Sequence, residues 1–237
     1  MSARPEPALR LSVIVPFGPD ETEGAALLEQ LQALPRDAEI VLVRAEGRLL
    51  PLGMKPGAQG VAIRICASPA GRARQMNIGA RAARGRWLWF LHADSCLQSR
   101  TLTALDAFLT EDQGALGYFD LRYRDDGPRL AHLNAIGANL RARWFGIPFG
   151  DQGFVLPAPW FDRLGGYDET AVCGEDHLLV WRARAAGLPL RRIGAPLASS
   201  ARKYARQGWG RMTLRNLRLT ALQAWPQWRR LHKERIA

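Results

Sequence analysis

Two short segments of this chain carry carboxylates where a reaction could use them. His92-Ala93-Asp94 follows directly on the apolar run 87–91. A carboxylate at the carboxyl end of a buried strand projects into the crevice where α/β proteins bind ligands. An Asp there is a hard oxygen ligand for Mg2+ or Mn2+, ions that take one or two protein carboxylates and complete their shell with phosphate oxygens and water. The competing use of Asp94 is to cap the next turn. Glu175 and Asp176 open a second candidate site at the start of an apolar-periodic helix, 175–186. Carboxylates favour a helix N-terminus for its dipole alone. Their chemical use is general base catalysis, in which a carboxylate takes the proton of a hydroxyl as that oxygen attacks. Either residue qualifies, but only one of two neighbours can point into a site.

Two further segments would bind rather than react. In 68–79 a Gly-led turn opens a helix carrying Arg72 and Arg74. Free N–H groups at a helix start, with guanidinium forks beside them, suit a diphosphate. The alternative is a solvated arginine face. Gly150-Asp151-Gln152-Gly153 lies between two phenylalanines in the Gly/Pro-rich stretch 146–159, where it is either a polar wall against a ligand or simply a turn. His132 and His232 have no partners at ligand spacing and read as structural or exposed.

Those segments need elements to hold them. Residues 11–17 form a short β-branched apolar run ended by Pro and Gly, as a buried parallel strand would be. Residues 25–34 carry leucines at helical spacing. Runs 39–43 and 61–66 read as strands, 71–83 as a helix, 87–91 as a strand, and 99–109 as a helix with Ser99 as its N-cap. Strands alternating with helices imply an α/β fold whose mostly parallel sheet has helices on both faces. Beyond Gly114 the expectation is a strand to about residue 122, a helix over 130–143, and the helix 175–186. The second half then extends the same sheet and supplies an acceptor face.

Composition narrows the class. At 237 residues with 47% hydrophobic and 23% charged side chains, the chain is globular, neither disordered nor fibrous, and one domain is the expectation. Lys+Arg number 33 against 22 Asp+Glu, a net charge of +11 that favours an anionic partner such as a phosphorylated ligand, a membrane surface or nucleic acid. No nucleic-acid recognition motif accompanies that charge. Cys66, Cys96 and Cys173 have neither disulfide-framework nor zinc spacing and fit a reducing cytoplasm. No stretch approaches the roughly 18 apolar residues of a membrane span, and residues 1–10 lack the apolar core of a signal peptide.

Taken together the motifs resemble those of bacterial family 2 glycosyltransferases, enzymes of the GT-A nucleotide-sugar fold. The subgroup it is similar to carries, in order, Gly-Arg-Ala-Arg-Gln-Met-Asn, His-Ala-Asp, Gly-Asp-Gln, Glu-Asp and a late Ser-Ala-Arg. These stand here at 71–77, 92–94, 150–152, 175–176 and 200–202, so the resemblance spans about 11–225. It implies transfer of a sugar from a nucleoside-diphosphate donor, with inversion and with Mg2+ or Mn2+ as cofactor, to an acceptor that is unidentified. Asp94 becomes the metal ligand, Asp176 the preferred base and Glu175 its alternative. Pro16, Arg72, Arg74, Asn77 and His92 would line the donor, and Asp151, Gln152 and Arg202 the acceptor or sugar. Related chains have Asn-Glu after the first strand and an Asp-rich turn after the second; here Asp20 and Glu46 are the candidates for those two roles. The resemblance divides one domain into a donor half (11–112), an acceptor half (113–205) and a C-terminal basic amphipathic helix (206–237). Two other classes compete. One is a GT-A-fold binding module without donor chemistry, and the other a nucleotidyltransferase, which would carry a basic Gly-rich loop where Asp20 and Glu21 stand.

The C-terminal helix puts Leu214, Leu217, Ala221 and Trp225 on one stripe and Arg211, Arg215 and Arg218 beside it. The preferred expectation is that the leucine stripe packs on the domain and the arginines are solvated. The alternative is that the helix lies on an anionic membrane and brings a lipid-linked acceptor to the site.

Overall fold

The computed structural model describes residues 9–18, 23–48, 60–111, 113–171 and 173–236, with side chains to 229. Seven strands form one sheet: β1 (Leu9–Phe17), β2 (Ala38–Ala45), β3 (Ala62–Ser68), β4 (Gly85–Phe90), β5 (Leu116–Tyr123), β6 (Val155–Pro157) and β7 (Leu190–Ser199), in the order β3-β2-β1-β4-β6-β5-β7. The β1–β2, β2–β3, β1–β4 and β5–β7 pairs are parallel, and only β6 runs antiparallel to its neighbours. Six of the seven strands therefore present their carboxyl ends along one edge. The helices are α1 (Ala25–Leu31), α2 (Arg72–Ala82), α3 (Ser99–Glu111), α4 (Ala131–Phe145), α5 (Ala158–Arg163), α6 (Glu175–Ala185), α7 (Arg202–Gln207) and α8 (Trp209–Ile236).

Strand alternation sends side chains to two cores. Leu11, Val13, Val15 and Phe17 of β1 pack with α1 and α3 on one face. Ile14, Val41 and Val43 pack with α2, α5 and α6 on the other. Helix α2 lies so close to the sheet that Gly79 has no room for a side chain: a Cβ there would stand 2.5 Å from Ile14 Cγ2 and 2.9 Å from Val43 Cγ2. A third, smaller core joins the ends of β5 to α4, α7 and α8 through Leu121, Tyr123, Ala135, Tyr204 and Met212.

The anticipated mostly parallel α/β sheet with helices on both faces is present. Four elements lay outside the sequence expectations. β6 has three residues inside a Gly/Pro-rich stretch, and α5 and α7 have six each, too short to show a period. β7 is an edge strand interrupted by Gly194 and Pro196, and its Arg191 and Arg192 pair with Glu111 and Asp120. An edge strand tolerates proline and charge that a central one would not.

Candidate active site

The chain leaves β4 at the sheet edge and turns at once through His92, Ala93 and Asp94. An isolated antiparallel bridge clamps this turn to the end of β7, with Cys96 N–H donating to Ala198 O at 2.8 Å and Ala198 N–H to Cys96 O at 3.1 Å. Asp94 Oδ2 accepts from Ser199 Oγ at 3.2 Å and from Ser200 N–H at 3.3 Å. Its Oδ1 has no hydrogen-bond partner among the described residues. His92 Nε2 accepts from Arg72 Nη2. Burial, with Arg72 and Lys203 nearby, pushes the imidazole well below its usual pKa, so it is neutral with its proton on Nδ1.

Arg72, in the first turn of α2, also reaches the start of α6, where its Nε is 3.4 Å from Glu175 Oε1. Glu175 is 8% exposed and is held in that ion pair. Its neighbour Asp176 points to the turn Gly150–Gln152: Oδ2 accepts from Gly150 N–H at 2.5 Å and Oδ1 from His177 N–H at 2.8 Å. This approach depends on glycine, because a Cβ at residue 150 would lie 2.7 Å from Arg72 Nη2 and 2.8 Å from Asp176 Oδ2. Gln152 is buried and secures the same turn, donating to Phe119 O and accepting from Phe149 N–H, both at 3.0 Å.

Arg72, His92, Asp151 and Asp176, from four separate stretches of sequence, line one cavity of about 630 Å3. Tyr123, Arg141, Lys203 and Tyr204 line it too and were not anticipated. Tyr123 OH is 3.3 Å from Tyr204 OH and 3.4 Å from Asp151 Oδ2, and burial raises the Tyr123 phenol so far that it stays protonated. Arg141 stacks 3.5 Å above Phe149, and burial lowers its pKa. No local pattern marks these residues, since Tyr123 and Tyr204 meet across 81 positions. Only Lys203 carried a signal, standing next to Arg202. The far wall of the cavity is α8, including Leu217, Thr220 and Gln223, whose Nε2 donates to Cys173 O at 2.9 Å.

The remaining described sequence candidates, Asp94 and Glu175 among them, do not line this cavity. Asn77 is buried, bonded through Nδ2 to Tyr167 O and Glu169 Oε1 and through Oδ1 to Tyr167 N–H, so it holds the 166–169 loop against α2. Arg74 pairs with Glu169 at 3.3 Å. Arg202 pairs with Glu23 at 2.5 Å. Pro16 is buried near the end of β1, and Glu46 is exposed just beyond β2. Asp20 lies outside the described residues. The ends of β1 and β2 are tied together by Gln75, whose Nε2 donates to Phe17 O at 2.6 Å and Val43 O at 2.9 Å.

Among the described residues no three carboxylate, imidazole or thiol groups converge to cage a metal. The donor set fits an ion carried mainly by a ligand. His92 Nε2 is engaged by Arg72, which leaves Asp94 as one anchored carboxylate with an open oxygen, and Mg2+ and Mn2+ need only one or two such ligands beside phosphates.

Residues 55–166 match the family model for Glycosyl transferase family 2, a segment that includes Arg72, Asp94 and Asp151 but ends before α6. No curated protein is matched. Among solved structures, the chain is similar to S. aureus TarS 1-349 in complex with UDP-GlcNAc, with a TM-score of 0.58 and 15% identity over 81% of this chain and 58% of that one. It is also similar to the mannosyltransferase PcManGT from Pyrobaculum calidifontis in complex with GDP-Man and Mn2+, with a TM-score of 0.53 and 18% identity over 81% and 58%. The chain spans 60% of the length of TarS 1-349. Residues 55–166 are thus similar to glycosyl transferase family 2, and the fold is similar to that of TarS 1-349.

Proposed function

We propose that the chain transfers a sugar from a nucleoside-diphosphate donor to an acceptor hydroxyl in one inverting displacement. The observation that carries this reading is Arg72, whose guanidinium joins the turn holding Asp94 to the helix start holding Asp176 along one sheet edge. The nucleotide UDP and the nucleotide sugars UDP-GlcNAc and GDP-Man named with the neighbouring structures support the donor class.

In this reading the acceptor oxygen attacks the anomeric carbon as its proton passes to Asp176. The bond from that carbon to the diphosphate oxygen breaks, and the nucleoside diphosphate leaves. Asp176 suits the base role better than Glu175, because it lines the cavity while Glu175 is committed to Arg72. Its two backbone hydrogen bonds fix the carboxylate and leave about two of its four lone-pair sites for a proton. The charge-fixed fork of Arg72 faces the diphosphate. Asp151, steered by the Tyr123 hydroxyl, meets the sugar or acceptor. Gln152, Asn77 and Arg202 act by positioning the elements they join. Asp94 would hold Mg2+ or Mn2+, which when bound supplies Lewis-acid neutralisation of the departing diphosphate.

The test is turnover of a panel of UDP- and GDP-sugars by the wild type, Asp94→Ala and Asp176→Asn, with Mn2+ or with chelator. Each substitution, and chelation, should lower turnover by about 100-fold or more. Full activity in either variant overturns the role given to that residue, and a wild type that neither binds nor turns over any donor favours the silent-module reading.

A further inference from the structure

Eleven large hydrophobic side chains are exposed among the described residues, and all but Ile65 belong to α8, to α4, or to Leu130 at its start. On α4 they include Leu133, Ile136 and Trp144, and on α8 Leu214, Leu217 and Trp225; Trp144 is 72% and Leu214 69% exposed. The leucine stripe of α8, expected to pack on the domain, faces outward instead. The inward face of each helix is already satisfied. Helix α4 packs through Ala131, Ala135, Ala138 and Ala142, and α8 through Met212. The two are pinned by Asn134, which donates to Thr213 Oγ1 at 2.9 Å and accepts from Trp209 Nε1 at 2.7 Å. The outward apolar faces are therefore surplus to folding, and soluble domains rarely leave such a face uncovered.

We infer that α4 and α8 form a docking face for an anionic lipid surface, from which a lipid-linked acceptor enters the cavity. Charge selects this occupant. Neither α4 nor the 209–229 part of α8 contains an Asp or Glu, while Arg211, Arg215, Arg218 and Arg229 are exposed on α8. A self-associated pair would bring two acid-free arginine arrays together, whereas anionic headgroups neutralise them. Leucine and tryptophan beside arginine is the pattern of a helix lying in the headgroup region. No helix of the described residues is long and apolar enough to cross a membrane, so the contact is parallel to the surface. Leu133 and Leu217 belong both to this face and to the cavity lining, so the apolar surface runs into the site. An acceptor with its hydroxyl at Asp176 could then keep its hydrocarbon chain in the lipid. This last step rests on the transferase reading, and the docking face does not.

The experiment is co-sedimentation of the full chain with phosphatidylglycerol/phosphatidylcholine vesicles and with phosphatidylcholine alone. The expected result is binding to the anionic vesicles at least about tenfold stronger than to the neutral ones, weakening as salt is raised. The triple variant Trp144→Glu/Leu214→Glu/Trp225→Glu should lose binding by about tenfold or more. Arg211→Glu/Arg215→Glu should lose the preference for anionic lipid. None of these five residues lines the cavity, so nucleotide-sugar hydrolysis in vesicle-free buffer should be unchanged in both variants. No sedimentation with either vesicle, equal binding by the triple variant, or a dimer in sedimentation velocity that the triple variant dissolves would each overturn the docking face. Vesicle binding without turnover of any donor would leave the docking face standing and overturn the transferase reading; donor turnover without vesicle binding would do the reverse.

Discussion

Arg72 Nε stands 3.4 Å from Glu175 Oε1, an ion pair across 103 positions (175 − 72) that no local pattern foretells. The same guanidinium donates to His92 and borders Gly150 and Asp176, so one side chain spans four of the five motifs. Its partner is almost fully buried, which makes the pair structural as well as electrostatic.

Arg72→Ala should therefore cost both stability and turnover. A nearly buried carboxylate left without its cation is unfavourable, but Arg72 itself is 41% exposed and water can partly replace it. The expected loss is about 1–2 kcal/mol in urea denaturation, below the full cost of breaking a buried pair. Turnover should fall by about 100-fold, and Arg72→Lys, which keeps the charge without the fork, should recover stability more than turnover.

Gly150→Ala separates placement from stability. The new methyl would press on the flexible end of the Arg72 side chain, which can swing aside, and on the Asp176 side chain, which must shift. Melting should change little, while kcat drops by about tenfold or more, because a displacement near 1 Å at the proposed base would be that costly. An unchanged kcat would show that Asp176 does not need this turn.

Acid should destabilise the protein through His177. Burial lowers its pKa to about 4, with Arg141 adding to the effect and Asp176 opposing it. The unfolded chain binds that proton near pH 6.5 and the folded chain only near 4, so the unfolded state holds more protons between these values. The contribution is whole above about pH 6.5, fades as pH falls toward 4, and amounts to about 3 kcal/mol in all. Urea unfolding at pH 7.5, 6 and 5 should show this slope, and His177→Gln, which still offers an acceptor to Trp181 Nε1, should flatten it.

Gly79→Ala tests the contact that sets α2 on the sheet. Alanine favours a helix by about 1 kcal/mol over glycine. Its methyl would nevertheless overlap Ile14 and Val43 in a filled core, where overpacking costs about 1–3 kcal/mol. A net loss near 1 kcal/mol in thermal or urea unfolding is expected, and a gain would mean that α2 can lift from the sheet.

The sequence by itself determined the first five strands of the sheet and the motif positions that its edge serves, but not β6 or β7. Long buried strands such as β1, β2 and β4 declare themselves through uninterrupted apolar runs, and α2, α3 and α6 through helical spacing, because burial on both faces or along one stripe constrains every residue in the element. The segment that places Asp94 beyond β4 follows from that pattern alone. Only tertiary structure decided that Glu175 turns to Arg72 while Asp176 lines the cavity, that Asn77 and Gln152 are spent on hydrogen bonds within the fold, and that Tyr123, Arg141 and Tyr204 border the site. It also decided that the leucines of α8 face outward, since a helical stripe specifies which residues lie together but not what they lie against. Periodicity reports on an element's own symmetry; contacts between residues far apart in the chain depend on how the elements dock, and that information is not carried by any local window.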